Sequence, residues 1–266
     1  MDSHNLRACV LVSTLAASIA IAGCGGQKQE APSTSAEPSA PAAAVDPATA
    51  GNVTGKVVLE GGAPKNVAIK MNSDPVCMRE SKGPQTQEYF LVAEGGALQN
   101  VFVYVKEGLG NVTFEAPKDP IKLDQQGCRY RPHVFGIRVG QALEISNSDP
   151  TLHNIHAIPT ENQEFNTGQP IQGMKTQHVF TAKEVMVPFK CDVHGWMNAY
   201  AGVVDHPYFA VSGNDGKFDL KALPPGNYVI EAWHEKLGTQ TQNVTIGAKE
   251  TKEVTFTFKA AASTTN

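Results

Sequence analysis

The sequence predicts an all-β fold, and three observations carry that reading. Apolar residues alternate in short runs, as in Gly55-Lys56-Val57-Val58-Leu59, Val101-Phe102-Val103-Tyr104-Val105 and Val244-Thr245-Ile246. Glycine (24 residues) and proline (17) are frequent, and turn signals recur at roughly ten-residue spacing, as between short strands. No long stretch has convincing 3.6-residue periodicity.

The N-terminus stands apart. Arg7 supplies a positive charge ahead of an apolar run from Val10 to Ala22. The run is too short to span a bilayer comfortably and ends in small residues, as a secretory signal does. It closes with Ile21-Ala22-Gly23-Cys24, which resembles a bacterial lipobox. That resemblance implies a lipoprotein signal peptide over 1–23 and lipid on Cys24. The absence of Asp beside the cysteine favours the outer membrane, facing the periplasm. An ordinary secretory signal is the alternative, and either one exports the chain. Residues 24–51 are rich in Gln, Glu, Ala, Pro, Ser and Thr and have no aromatic residue, so a disordered linker is expected. The tail 261–266 is small and polar and is also expected to be disordered.

About 215 residues remain, enough for one or two domains. A strand at Gly55–Glu60 runs into Gly61-Gly62-Ala63-Pro64, and a second strand covers Asn100 to Val105. The same style of pattern returns after His206-Pro207, where Asn214-Asp215-Gly216 is a strong turn signal. The run from Asp215 to Tyr228, with Phe218, Leu220, Leu223-Pro224-Pro225-Gly226, resembles carboxypeptidase regulatory-like domains. That family has a transthyretin-like β-sandwich. There the opening strands and the Asp-Gly-x-Phe run lie close in sequence, whereas here roughly a hundred residues separate them. One sandwich, 52–118 with 208–260, split by an inserted domain over 119–207, is therefore expected. The alternative is two sandwiches in series.

The inserted stretch carries the chemistry. Strands over Val134 to Ile145, a turn at Asn147-Ser148-Asp149-Pro150, and strands at Val179-Phe180 and Val185–Phe189 lead to Cys191-Asp192-Val193-His194-Gly195-Trp196-Met197. Thiolate, imidazole and thioether within seven residues are the ligand types of a blue-copper site, which needs a second His. A trigonal site cannot be closed by one short loop, so that His should come from another strand. His153, in His153-Asn154-Ile155-His156, is the candidate.

The Cys-x-x-His-x-x-Met spacing and the upstream His-Asn-Ile-His run resemble amicyanin and, more loosely, plastocyanin, both cupredoxins. The resemblance covers roughly residues 120–205 and implies a Greek-key β-sandwich or barrel. It implies one type 1 copper ion held by His153, Cys191, His194 and Met197, with Asn154 tying the two ligand loops together. It also implies an electron path through the edge of His194, beside a docking patch at Gly195 and Trp196. Met174 is a reserve axial candidate. His156 should face away from the site, and His133, His178, His206 and His234 have no partner at metal spacing.

Cys9 lies in the signal and Cys24 in the lipobox, leaving Cys77, Cys128 and Cys191. With Cys191 given to copper, Cys77 and Cys128 are expected to pair in an oxidising compartment. A second soft metal site at Cys77-Met78 with Met71 is the alternative, although no His or second Cys is close by.

An axial Met leaves no open coordination position of the kind catalytic metals keep, so the chain is expected not to be an enzyme. No His-x-His or His-Cys-His run supplies a second copper cluster. The formal charge of −4 without a basic run argues against nucleic acid. The expected function is single-electron transfer to an extracytoplasmic redox protein, a cytochrome or dehydrogenase, by a membrane-tethered carrier. A copper-delivery lipoprotein and a non-metal adhesion or carbohydrate-binding module remain as other readings.

Overall fold

The computed structural model describes residues 45–260. The expected signal peptide over 1–23, Cys24, most of the expected linker and the 261–266 tail lie outside the described residues. Within 45–260 the chain is nearly all β, with strands β1 (Gly51–Glu60), β2 (Ala68–Ile69), β3 (Gln85–Thr86) and β4 (Phe102–Glu107) before the copper-motif region. There follow β5 (Ile121–Gln125), β6 (Tyr130–Arg131), β7 (Val134–Arg138), β8 (Ala142–Asn147) and β9 (His153–Ala157). Next come β10 (Phe165–Gln169), β11 (Lys175–Val179), β12 (Glu184–Lys190) and β13 (Asn198–Val204). The chain ends with β14 (Phe209–Val211), β15 (Lys217–Leu223), β16 (Gly226–His234), β17 (Gly238–Ile246) and β18 (Thr251–Lys259). One short helix, α1 (Pro75–Glu80), lies between β2 and β3.

Strand pairing divides the chain. Sheets β15-β1-β18 and β14-β4-β16-β17 draw on both ends of the sequence. Sheets β10-β9-β12-β13-β7 and β11-β8-β5-β6 use only strands between 121 and 204. The outer pair of sheets, the host, encloses one core. Val53, Val57 and Leu59 alternate inward from β1, with Phe256 and Phe258 of β18 beside them in the same sheet, and share one core with Val103, Val105 and Ile230 of the other sheet. That period-two burial is the physical reason the alternating runs became strands. The inner pair, the insert, has its own core, including Leu123, Ile137, Ile145, Ile155, Phe180 and Phe189.

The host and insert meet through aromatic rings lying on bare backbone. Phe102 and Tyr104 of β4 cluster with Val134, Met186 and Val204. A Cβ at Gly202 would fall 2.3 Å from the Phe102 ring, and one at Gly136 would fall 2.2 Å from Phe209. Glycine at both positions lets the rings approach the insert's sheet.

Two features depart from the expected boundaries. Residues 45–50, placed in the linker, form a turn in which Asp46 Oδ1 accepts from the Ala48 amide, and Val45 packs on the host core. The segment carrying β2, α1 and β3 belongs by sequence to the first half of the host but packs on the insert. Met71 and Cys77 sit in the insert's core, Arg129 Nη2 pairs with Glu88 at 3.1 Å, and Arg129 Nη1 donates to the Thr86 carbonyl at 2.8 Å. This strap lies over the end of the insert that holds the copper motif.

Candidate metal centre

Antiparallel pairing of β9 and β12, with Lys190 opposite His156, brings the start of one strand beside the end of the other. His153 opens β9 and Cys191 follows β12, so two motifs 38 residues apart meet by strand register. After Cys191 the chain turns tightly. The Met197 amide donates to the His194 carbonyl at 2.8 Å, and the Cys191 amide donates to the Met197 carbonyl at 3.2 Å. The turn returns His194 and Met197 to the same point.

His153, Cys191, His194 and Met197 are all buried, at 3% exposure or less. His153 Nδ1 lies 2.9 Å from His194 Nδ1, and Cys191 Sγ lies 3.9 Å from His194 Nδ1. The ring nitrogens and the sulfur all lie within 4.8 Å of one another. Met197 packs in the same core cluster as Cys191, whereas half-buried Met174 lies in the β10–β11 turn, outside that cluster.

The surroundings favour a thiolate. The His194 amide donates to Cys191 Sγ at 3.4 Å, while Asn154 Oδ1, 3.2 Å away, can accept only from the protonated thiol. Burial pushes the Cys191 thiol up, but hydrogen bonds from His153 and His194 outweigh it and bring the thiol down to about 6. Asn154 Oδ1 also accepts from the Asp192 amide at 2.7 Å, which joins the β9 loop to the Cys191 loop. The Asn154 carbonyl accepts from Tyr130 Oη at 2.5 Å. These contacts fix the first ligands from behind.

Each imidazole turns its far nitrogen to a carboxylate. His153 Nε2 lies 2.9 Å from Asp149 Oδ2, and His194 Nε2 lies 2.9 Å from Asp74 Oδ2. Burial alone would push both histidines down. Bonds to the carboxylates and to Cys191 reverse this and raise both. Asp149 and Asp74 are held below the usual carboxylate range. Burial opposes this, but their imidazole partners and the amides of Gly127, Cys128, Val76 and Cys77 prevail. Neither aspartate is marked by a ligand-like pattern in the sequence. Asp149 stands four residues before His153, in a sequence that signals only a turn. Asp74 is 120 residues from His194, and no local pattern marks it.

The edge of His194, the expected electron path, is buried. The strap covers it with Asp74 and with Cys77 Sγ, 3.6 Å from Nε2. Cys77 and Cys128 form a disulfide that fastens α1 to the insert, so the second soft metal site at Cys77 does not form. Of the expected docking patch, Gly195 is exposed. Trp196 is half-buried, with its ring 5.0 Å from that of His194 and its Nε1 donating to the Cys128 carbonyl at 3.0 Å. Gln87 of the strap donates to the Trp196 carbonyl at 3.3 Å.

The other histidines lie elsewhere. His156 bonds Asp192 and Glu164. His133 pairs with Glu235, and His178 stacks on Phe165. His234 is buried in the host, and His206, between β13 and β14, is buried on the host side against Tyr208.

Two imidazoles, a thiolate and a buried thioether fit copper better than the harder divalent ions, which favour oxygen donors. His153, Cys191 and His194 would hold the ion, with Met197 as the weak fourth donor.

Residues 201–259 match the family model of the carboxypeptidase regulatory-like domain. The chain has no match among curated proteins. Among solved structures it is similar to a purple cupredoxin from Nitrosopumilus maritimus, with 22% identity, 31% of this chain and 98% of that chain covered, and a TM-score of 0.28. It is also similar to a Cu-containing nitrite reductase from Thermus scotoductus SA-01, with 18% identity, 55% and 28% covered, and a TM-score of 0.30. A reduced Cu(I) mutant of amicyanin aligns with 18% identity, 38% and 97% covered, and a TM-score of 0.29.

Proposed function

We propose that the chain is a type 1 copper protein that carries single electrons between extracytoplasmic redox partners. The observation that carries this reading is the convergence of His153 Nδ1, His194 Nδ1 and Cys191 Sγ in a buried pocket beside Met197. Copper held there supplies one-electron exchange between its +1 and +2 states. The His194 amide holds the sulfur, Asn154 ties the Cys191 loop to the β9 loop, and Asp149 and Asp74 hold the two rings. A donor set fixed in this way changes little between the two oxidation states, so reorganisation on electron transfer is small. With the His194 edge covered, half-buried Trp196 is the group that extends the site toward solvent, and a cytochrome or dehydrogenase would dock there.

Copper delivery is the second reading, and burial argues against it. The ligands are at most 3% exposed and sit beneath a disulfide-fastened strap, an arrangement that retains metal. Cyclic voltammetry of the copper-loaded full chain, followed by challenge with a copper chelator, separates the two readings. A reversible one-electron couple with slow loss of copper is expected. Rapid transfer to the chelator without a reversible couple would favour delivery.

The same proposal places the protein on a membrane through lipid on Cys24. Among the described residues no helix is long and apolar enough to cross a membrane. Cys24→Ser should move the protein from the membrane fraction to the soluble one, and a variant still bound to membranes would remove the anchor from the account.

A further inference from the structure

Asp74 has two carboxylate oxygens with two separate tasks. Oδ1 accepts from the Val76 and Cys77 amides at 2.8 and 3.0 Å and caps α1. Capping needs no charge, because Asn or Ser serves as well at that position. Oδ2 is directed away from the helix and meets His194 Nε2 at 2.9 Å, with Thr151 Oγ1 further off at 3.4 Å. The other neighbour of that nitrogen is Cys77 Sγ, a disulfide sulfur and a weak acceptor. An imidazole that gives its Nδ1 lone pair to a metal must keep its proton on Nε2, and Asp74 is the strong acceptor placed to receive it. The geometry repeats that of Asp149 on His153. Asp149, however, comes from the ligand's own loop, whereas Asp74 is delivered by the strap from outside the insert.

We propose that Asp74 is a positioning residue of the metal centre, fixing the His194 ring and making the site favour Cu(II) over Cu(I). This rests on the copper reading above. A carboxylate that accepts the Nε2 proton makes the imidazole a stronger donor, and the added negative charge favours the more highly charged ion. The strap is therefore part of the metal centre as well as its cover.

The test measures Cu(II) and Cu(I) dissociation constants for the full chain, using chelator competition for each ion. Asp74→Asn and Asp74→Ser both retain a capping oxygen and lack the carboxylate. Each should lower the Cu(II)-over-Cu(I) preference by about tenfold, in the range found when an outer partner of a ligating histidine is lost. Tenfold corresponds to a rise of about 59 mV in midpoint potential. Glu80→Gln, which removes a charge from the same helix without touching His194, should leave the preference unchanged. Mass spectrometry of non-reduced peptides checks that the Cys77–Cys128 disulfide persists in each variant. If both Asp74 variants keep the disulfide and the wild-type preference, Asp74 is only a helix cap and the inference is overturned. A wild-type chain that binds no copper would instead sink the copper reading, and this inference with it.

Discussion

Five of the described histidines are buried, and four of them, His206 and His234 on the host side and His153 and His194 in the insert, make a direct comparison. His206 and His234 in the host are 7% and 1% exposed, and His153 and His194 in the insert are 0% and 3% exposed. Burial drives both host imidazoles down to about 4, with the nearby charges of Asp205 and Glu235 too weak to prevent it. Burial acts in the same direction in the insert, yet both imidazoles there are raised. The difference is a carboxylate at 2.9 Å and a thiol facing the other nitrogen. In the host, His234 sits between Phe90 and Phe258 at 5.8 and 6.1 Å, the company of a packing residue. Burial does not distinguish a site from a core. A carboxylate on one nitrogen and a free thiol facing the other do; buried His133 has Glu235 and the Asn198 carbonyl on its two nitrogens, with no thiol.

Replacing histidines tests this contrast most strongly. His153→Ala or His194→Ala should weaken copper binding beyond the 10–100-fold typical of losing an outer hydrogen-bond partner. His206→Ala and His234→Ala should leave copper affinity unchanged in a chelator titration. An equal loss from a host variant would break the comparison.

Acid should next separate the regions. Between pH 6.5 and about 4 the unfolded chain protonates His206 and His234 while the folded chain does not. Stability is therefore lost as pH falls through that window, by up to about 3 kcal/mol per histidine, and levels off below it. His153 and His194 have the opposite sign in the metal-free protein. Their contribution is present below 6.5 and is lost as pH rises through their raised values. Urea denaturation of His234→Phe across this range should show a flatter acid limb than wild type. An unchanged slope would mean that His234 is not held neutral.

The joint between the two regions gives a smaller effect. Gly202→Ala would drive a methyl against the Phe102 ring, whose atoms lie 2.3 Å from the ideal Cβ position. Overpacking of this kind costs about 1–3 kcal/mol. A thermal melt should show the loss, and a melt equal to wild type would mean that the ring moves aside freely. The joint also bears on an isolated 119–207 fragment, which would expose the glycine face and lack Asp74 and Cys77. Full-length protein is the proper subject for metal measurements.

The finest effect is within the site. Met197→Gln should retain copper and lower the potential, because a harder oxygen donor stabilises Cu(II). Unchanged spectrum and potential would remove Met197 as axial ligand.

The legible and illegible parts of this molecule follow chain distance. Alternation at Val53, Val57 and Leu59 announced strands, because pleating puts every second residue inside. The spacing from Cys191 to Met197 announced a ligand loop, because a single turn returns those side chains to one point. Pairing Cys77 with Cys128 followed from an odd cysteine being needed elsewhere. Asp74 was illegible, because its role depends on where a strap between β1 and β4 comes to rest. The covering of His194 is illegible for the same reason. The expected electron path ran through the His194 edge, and nothing local to the strap of β2, α1 and β3 says that it crosses onto the insert.

The central claim is that His153, Cys191, His194 and Met197 form one type 1 copper site. It is tested most directly by titrating the full chain with Cu(II) while recording the visible spectrum. The account predicts an intense sulfur-to-copper charge-transfer band that saturates at one ion per chain and is absent in Cys191→Ser. A wild-type protein that stays colourless with copper bound, or a band that survives in Cys191→Ser, would contradict it.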